Sequence, residues 1–276
     1  MRANSVVMVL IGALGLAACG DDSITDAARP PLAGVRLVNG LTNGSAVDIR
    51  AVDQIEWSPV ANNLSYRNAT IYFPTEAKDR LIRVFPTSTD ASVTSQMLHE
   101  ATLNFQPNTR VTLLVTGSQA AGNVRFVVIN DDLTPPPAGQ IAVRSVNVSG
   151  TAIDAYLLPR TTTAISGAPT FANVTPLTAS AYVNRNAVAA NDTVAMRITP
   201  AGSTTASASA QGPTAPAAPA GSPSLGAAGV NNAGTKFSVY FFPAVVLIPA
   251  SQGRPAVAAT AASALWLVDR NPGDIP

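Results

Sequence analysis

The chain repeats itself, and this repetition constrains its fold more than any single motif does. Val35-Arg36-Leu37-Val38-Asn39 recurs as Val143-Arg144-Ser145-Val146-Asn147, and Ala46-Val47-Asp48-Ile49 recurs as Ala152-Ile153-Asp154-Ala155. Farther on, residues 79–86 parallel 192–200, with Arg83 matched to Arg197, and residues 109–115 parallel 235–241. The order is the same in both halves, while the spacing grows along the second. A duplication is the simplest account.

Within each half the periodicity is that of strands. Val111, Leu113 and Val115 alternate with Thr112, Leu114 and Thr116. Phe237, Val239 and Phe241 alternate with Ser238, Tyr240 and Phe242, and Val194, Met196 and Ile198 with Ala195, Arg197 and Thr199. Successive strand side chains point to opposite faces, so one face of each strand is core and the other is wet or packs on a second layer. Asn43-Gly44 and Ser149-Gly150 fall between apolar runs at matching places and read as hairpin turns. The expected fold is all-β, with two tandem immunoglobulin-like or transthyretin-like β-sandwich domains.

Composition narrows the function classes. Charged residues make up 12% of the chain and the net charge is +1, so there is no electrostatic footprint for nucleic acid. The single cysteine, Cys19, excludes an internal disulfide framework. That cysteine closes Leu16-Ala17-Ala18-Cys19, which resembles the bacterial lipobox. The uncharged run 6–18 behind Arg2 reaches only about 20 Å as a helix, short of a hydrocarbon core of roughly 30 Å, so it reads as a signal-peptide core. The resemblance implies cleavage before Cys19 and its acylation (palmitate among the chains), with the membrane as a partner. Gly20 after the cysteine suggests the outer membrane, so the expected location is extracytoplasmic, on the periplasmic face or the cell surface.

The expected organisation is a signal peptide at 1–18, a lipidated flexible tether at 19–33, a first sandwich at 34–134, a proline-rich spacer at 135–139 and a second sandwich at 140–276. Pro135-Pro136-Pro137 cannot continue a sheet ladder and sets the boundary. The Ala/Ser/Thr/Pro/Gly-rich stretch 201–234 reads as a disordered insertion, because it lacks apolar side chains to offset ordering entropy. The opening of each half resembles domain-of-unknown-function family 4397. Its pattern is Val-Arg-Val-Val-Asn/His, a small turn, then Ala-Val-Asp-Val. Asn39 and Asn147 stand where His is common. That resemblance implies a β-sandwich outside the cytoplasm, in tandem copies behind a lipoprotein leader, and brings no catalytic residues.

Candidate chemistry is sparse. His99 is the only histidine and no Gly-x-Ser-x-Gly elbow is present, so neither a hydrolase triad nor a zinc site is expected, nor any cofactor. Asp131-Asp132 reads as turn-capping in preference to a calcium site. Asp48 and Asp154 occupy equivalent places and read as outer-face or turn-bonding residues, with a paired ligand site as the alternative. Trp57, before Ser58-Pro59, reads as a loop tryptophan able to stack on a sugar; Trp266 reads as core. The expected function is a non-catalytic binding or structural module at the bacterial envelope, holding an envelope protein or polysaccharide. Two alternatives stand beside it. One is a polysaccharide-binding module using Trp57. The other is an envelope hydrolase, which needs Asp48, Glu76 and Asp131 to converge.

Overall fold

The computed structural model describes residues 30–42, 46–54, 57–190, 192–216, 227–246 and 258–274. Cys19, the leader, most of the tether and Asn43-Gly44 lie outside the described residues. The chain divides into Met1–Pro30, of which only Pro30 is described, and Pro31–Pro276, a unit that holds every described strand.

The first half contributes β1 (Leu32–Leu41), β2 (Val47–Ala51), β3 (Phe73–Glu76), β4 (Asp79–Pro86), β5 (His99–Asn104), β6 (Arg110–Gly117) and β7 (Arg125–Asp131). A single helical turn, α1 (Ala91–Thr94), lies between β4 and β5, with Asp90 accepting from the Ser92 amide at its N-cap. The second half contributes β8 (Gln140–Asn147), β9 (Ile153–Pro159), β10 (Phe171–Val174), β11 (Val183–Asn186), β12 (Val194–Pro200), β13 (Ala208–Gln211), β14 (Lys236–Phe242) and β15 (Ser263–Arg270).

The described strands form four sheets, and the two halves use one strand order. Sheet β3-β1-β6-β7 corresponds strand for strand to β11-β8-β14-β15. Sheet β2-β4-β5 corresponds to β9-β12-β13, to which the second half adds β10. In the first half only the isolated bridge Val47↔Leu64 stands in the place of β10. The same parallel pairing occurs in both halves, β1 on β6 and β8 on β14.

The alternation seen in the sequence builds the layers. Val35 and Leu37 of β1 and Val111, Leu113 and Val115 of β6 pack on Val47 and Ile49 of β2 and Ile82 and Val84 of β4. Val143, Phe237 and Val239 pack in the same way on Ile153, Met196 and Ile198. The opposite faces of β1, β6, β8 and β14 are not wet. Val38, Leu114 and Ile129 meet Val146, Val148, Tyr240 and Phe242 in a third buried cluster that joins the halves. The all-β sandwich expectation holds.

Three expectations are corrected. Ser149-Gly150 is not a hairpin turn, because β8 and β9 belong to different sheets. Turn residues reverse the chain there, while the burial of both flanking runs on opposite sides of one core decides sheet membership. The tether reading ends too late, since Leu32 and Ala33 are already in β1 and pair with Glu76 and Thr75. Of the stretch 201–234, residues 201–216 and 227–234 are described, and they are ordered. Within it β13 pairs with β12, and Val230 is fully buried. Backbone pairing and that one apolar side chain supply what the low-complexity composition concealed.

Candidate functional site

Where the chain concentrates its buried charge is the face between the halves. Strand alternation that sends Val35 and Leu37 into the first core sends Arg36 to the other side, and Arg144 on β8 is placed in the same way. Each arginine reaches across to a carboxylate at the end of an edge strand in the other half. Arg36 donates to Asp269 Oδ1 at 2.7 Å and to the Val268 carbonyl at 3.0 Å. Arg144 donates to Asp131 Oδ1 and to the Asn130 carbonyl at 3.0 Å.

The supporting hydrogen bonds are mirrored. Thr112 accepts from Arg36 Nε at 3.0 Å and donates to Asp131 Oδ2 at 2.6 Å. Ser238 accepts from Arg144 Nε at 2.7 Å and donates to Asp269 Oδ2 at 2.6 Å. The Tyr72 hydroxyl donates to Asp131 at 2.6 Å, and the Tyr182 hydroxyl donates to Asp269 at 2.8 Å. Each tyrosine ring lies between two cations. Tyr72 has Arg36 at 4.5 Å and Arg110 at 5.1 Å, while Tyr182 has Arg144 at 4.7 Å and Lys236 at 4.1 Å.

Arg36, Arg144, Asp131 and Asp269 are all buried, and two positive and two negative charges cancel. Burial works against the Arg36 charge, but Tyr240, Tyr72, Asp269 and Asp131 hold its pKa well above the usual value. Burial pushes the Asp131 carboxyl up; Asp269 beside it adds to this, against the pull of Arg36, Arg144 and the Thr112 hydroxyl. Desolvating such groups is costly, and only pairing with full hydrogen bonding offsets it. Each carboxylate has that, accepting from a guanidinium, a tyrosine and a Thr or Ser hydroxyl. What the network provides is register: the shortest ion pair of each arginine is made to a carboxylate of the other half, with Arg36 also 3.8 Å from Asp131 in its own half.

The residues singled out from the sequence lie elsewhere. Asp48 accepts from the Asn63 amide at 2.9 Å and from Thr87 at 2.6 Å; Asp154 accepts from the amides of Asn173 at 2.7 Å and Gly202 at 2.7 Å. Asn63 and Asn173 are both left-handed, at φ 52° and 49°. The two aspartates thus brace matching turns, one in each half. Trp57 is corrected: it is buried in the first core, edge-on to Phe73 at 5.3 Å, with Nε1 donating to Thr75 at 2.6 Å. Its loop folds under the sandwich and offers no ring face to a sugar.

His99 sits on edge strand β5 against Phe126, and burial lowers its pKa. Glu76 is held by Lys78 and Arg80, Asp48 by its turn and Asp131 by the junction, so the three carboxylates do not converge. Asp131 is not turn-capping, whereas Asp132 is: it accepts from the Thr134 amide and pairs with Lys236 at 2.6 Å. Asn39 and Asn147 also act locally. The Asn39 side chain bonds the Leu64 carbonyl and the Leu41 amide; that of Asn147 bonds the Val174 carbonyl and the Ser149 amide. Among the described residues no group of three or more His, Cys, Asp or Glu is placed to hold a metal ion, and no helix is long and apolar enough to cross a membrane.

One family model matches part of the chain. No curated protein matches the chain. Two solved structures are similar to it at a TM-score of 0.22. One is described as alpha-glucan binding by a streptococcal virulence factor, at 12% identity over 60% of this chain and 79% of that one. The other is described as alpha-glucan recognition by family 41 carbohydrate-binding modules from streptococcal virulence factors, at 11% identity over 64% and 85%. At that score neither likeness bears on what this chain binds. The family model that matches is the domain of unknown function DUF4397, over residues 33–156.

Proposed function

We propose that the protein is a lipid-anchored, non-catalytic binding or structural module of the bacterial envelope, held at the outer membrane through acyl chains on Cys19. The observation that supports it best is the junction lattice. Four buried charges, two from each half, pair across the junction, which makes a rigid double sandwich whose loops and sheet edges face outward. Residues 140–276 are, on this reading, a second copy of the domain matched at 33–156; the common strand order and the matched Arg, Tyr, Ser/Thr and Asp positions support it. A sugar site at Trp57 is not part of this proposal.

The test is fractionation of cells expressing the wild type and Cys19→Ala. The wild type is expected in the membrane fraction and the variant in the soluble one; equal partitioning contradicts the anchor. Turnover of chromogenic esters or glycosides by the purified protein, lost in His99→Ala, contradicts the non-catalytic reading.

A further inference from the structure

The two halves differ at one matched place, and the difference opens a slot in the first. Register equates Val128 with Trp266, since Leu113 faces Val128 across β6–β7 and Val239 faces Trp266 across β14–β15. In the second half the Trp266 indole packs edge-on against Phe237 at 5.4 Å and donates Nε1 to the Ala210 carbonyl of β13 at 3.2 Å. Gly212, one residue past β13, leaves room for a plug: a Cβ there would lie 2.6 Å from Val230 Cγ1 and 3.4 Å from Trp266 Cη2. Val230 arrives on a returning segment, its amide bonded to the Pro213 carbonyl at 2.8 Å and its carbonyl accepting from the Val188 amide at 3.0 Å. That side of the second sandwich is therefore closed by its own chain.

The first sandwich has no such closure. Only residues 105–109 join β5 to β6, whereas residues 212–235 lie between β13 and β14. Leu103 stands where Gly212 stands. Val128 shares its side of β7 with Phe126, which packs on the first core, yet Val128 is 49% exposed. Beside it a cavity of about 230 Å³ opens between β5 and β7, with Leu103, Phe105, Val111, Leu113 and Val128 in its lining. β5 and β7 are the outermost strands of their sheets, so strand-edge backbone borders the opening, with the Asn130 carbonyl already accepting from Arg144.

We propose that this slot docks an extended segment of a partner polypeptide, which adds along the free edge of β7 and seats one branched aliphatic side chain among Leu103, Leu113 and Val128. In the second half the matched place is filled by uncharged side chains, the Trp266 indole and, over Gly212, Val230 carried on a returning segment. Every residue lining the slot is uncharged, which matches a neutral side chain and disfavours an ionised one. The edge supplies the main-chain hydrogen bonds of strand addition, and the slot supplies selectivity. This proposal rests on the binding reading above and is independent of the anchor.

The test titrates the full chain, with methyl groups isotopically labelled, with the peptide acetyl-Thr-Thr-Val-Thr-Thr-amide. Saturable shifts are expected at the methyls of Leu103, Val111, Leu113 and Val128, with binding weakened at least about tenfold when the peptide valine is replaced by aspartate. Val128→Trp copies Trp266, the side chain at the matched place in the second half, and should weaken binding about tenfold or more while leaving the second-half methyls unmoved. Val128→Ala enlarges the slot and should turn the preference toward a tryptophan-centred peptide, a readout available even if Val128→Trp fails to fold. No saturable shift at about 5 mM peptide overturns the proposal. So do shifts indifferent to both variants, equal shifts from free valinamide, and shifts that follow protein concentration without peptide. Such a failure leaves Cys19-dependent partitioning untouched, whereas soluble wild-type protein that still binds the peptide contradicts the anchor alone.

Discussion

Arg36 on β1 and Asp269 on β15, 233 residues apart in the chain, meet at 2.7 Å with both side chains almost wholly buried. Their counterparts Arg144 and Asp131 make the reverse connection, so each half supplies the closer counter-charge to the other's arginine. Truncating one member leaves a buried charge without its partner. Arg36→Ala should therefore cost about 3–5 kcal/mol in urea unfolding. Replacing Arg36 and Asp269 together by Met and Leu should cost far less, since an apolar pair removes both desolvation penalties. A loss of under about 1 kcal/mol for the single variant would show that the pair is not sealed from water.

Gly40 marks how closely the halves approach. A Cβ at this position would lie 2.6 Å from Val148 Cγ1 and 2.9 Å from Leu114 Cδ1, so one extra methyl wedges the junction. Gly40→Ala should destabilise by about 1–3 kcal/mol, and Val148→Ala in the same chain should recover part of that loss. Thermal denaturation of the single and double variants checks this; strict additivity of the two costs would count against the contact.

Trp57 is a core residue, so its removal should be felt as lost stability. Trp57→Ala should cost about 3–5 kcal/mol. Trp57→Phe should keep most of the packing and lose only the bond to Thr75, about 1 kcal/mol. Denaturant titration separates the two variants, and a stable Trp57→Ala protein would return the indole to the surface.

Acid should loosen the link between Asp132 and Lys236. Desolvation raises the Asp132 pKa, but the bonds from Lys236 and Thr134 outweigh it and bring it down to about 2. A carboxyl depressed in the folded state contributes stability that is complete above its unfolded pKa and is lost as pH falls through the folded one. The acid limb between about pH 4 and pH 2 should accordingly flatten in Asp132→Asn, measured as the urea midpoint against pH.

Repetition and alternation made the fold legible. The matched runs at 35–39 and 143–147 do become equivalent strands, β1 and β8, and 79–86 and 192–200 do become β4 and β12. The junction was less legible, because Arg36 and Thr112 on a strand read as a wet face until a second sheet covers them. A signal was present: Arg36, Thr112 and Asp131 have Arg144, Ser238 and Asp269 in step, which is charge kept in register on what looks like a surface. Trp57 misled for the opposite reason. Ser58-Pro59 marks an irregular segment correctly, but local conformation does not say on which side of a sandwich a loop lies. Val230 and β13 were hidden by composition, since a stretch of Ala, Ser and Gly pairs as a strand only when a neighbour such as β12 offers its edge.

The two halves depend on each other for stability, and a double-mutant cycle between Arg36 and Asp269 in the full chain, read by calorimetric unfolding, tests this most directly. One cooperative transition for the wild type and a coupling energy of about 2 kcal/mol or more are expected. Two separate transitions, or single-variant costs that add within about 0.5 kcal/mol, would contradict it.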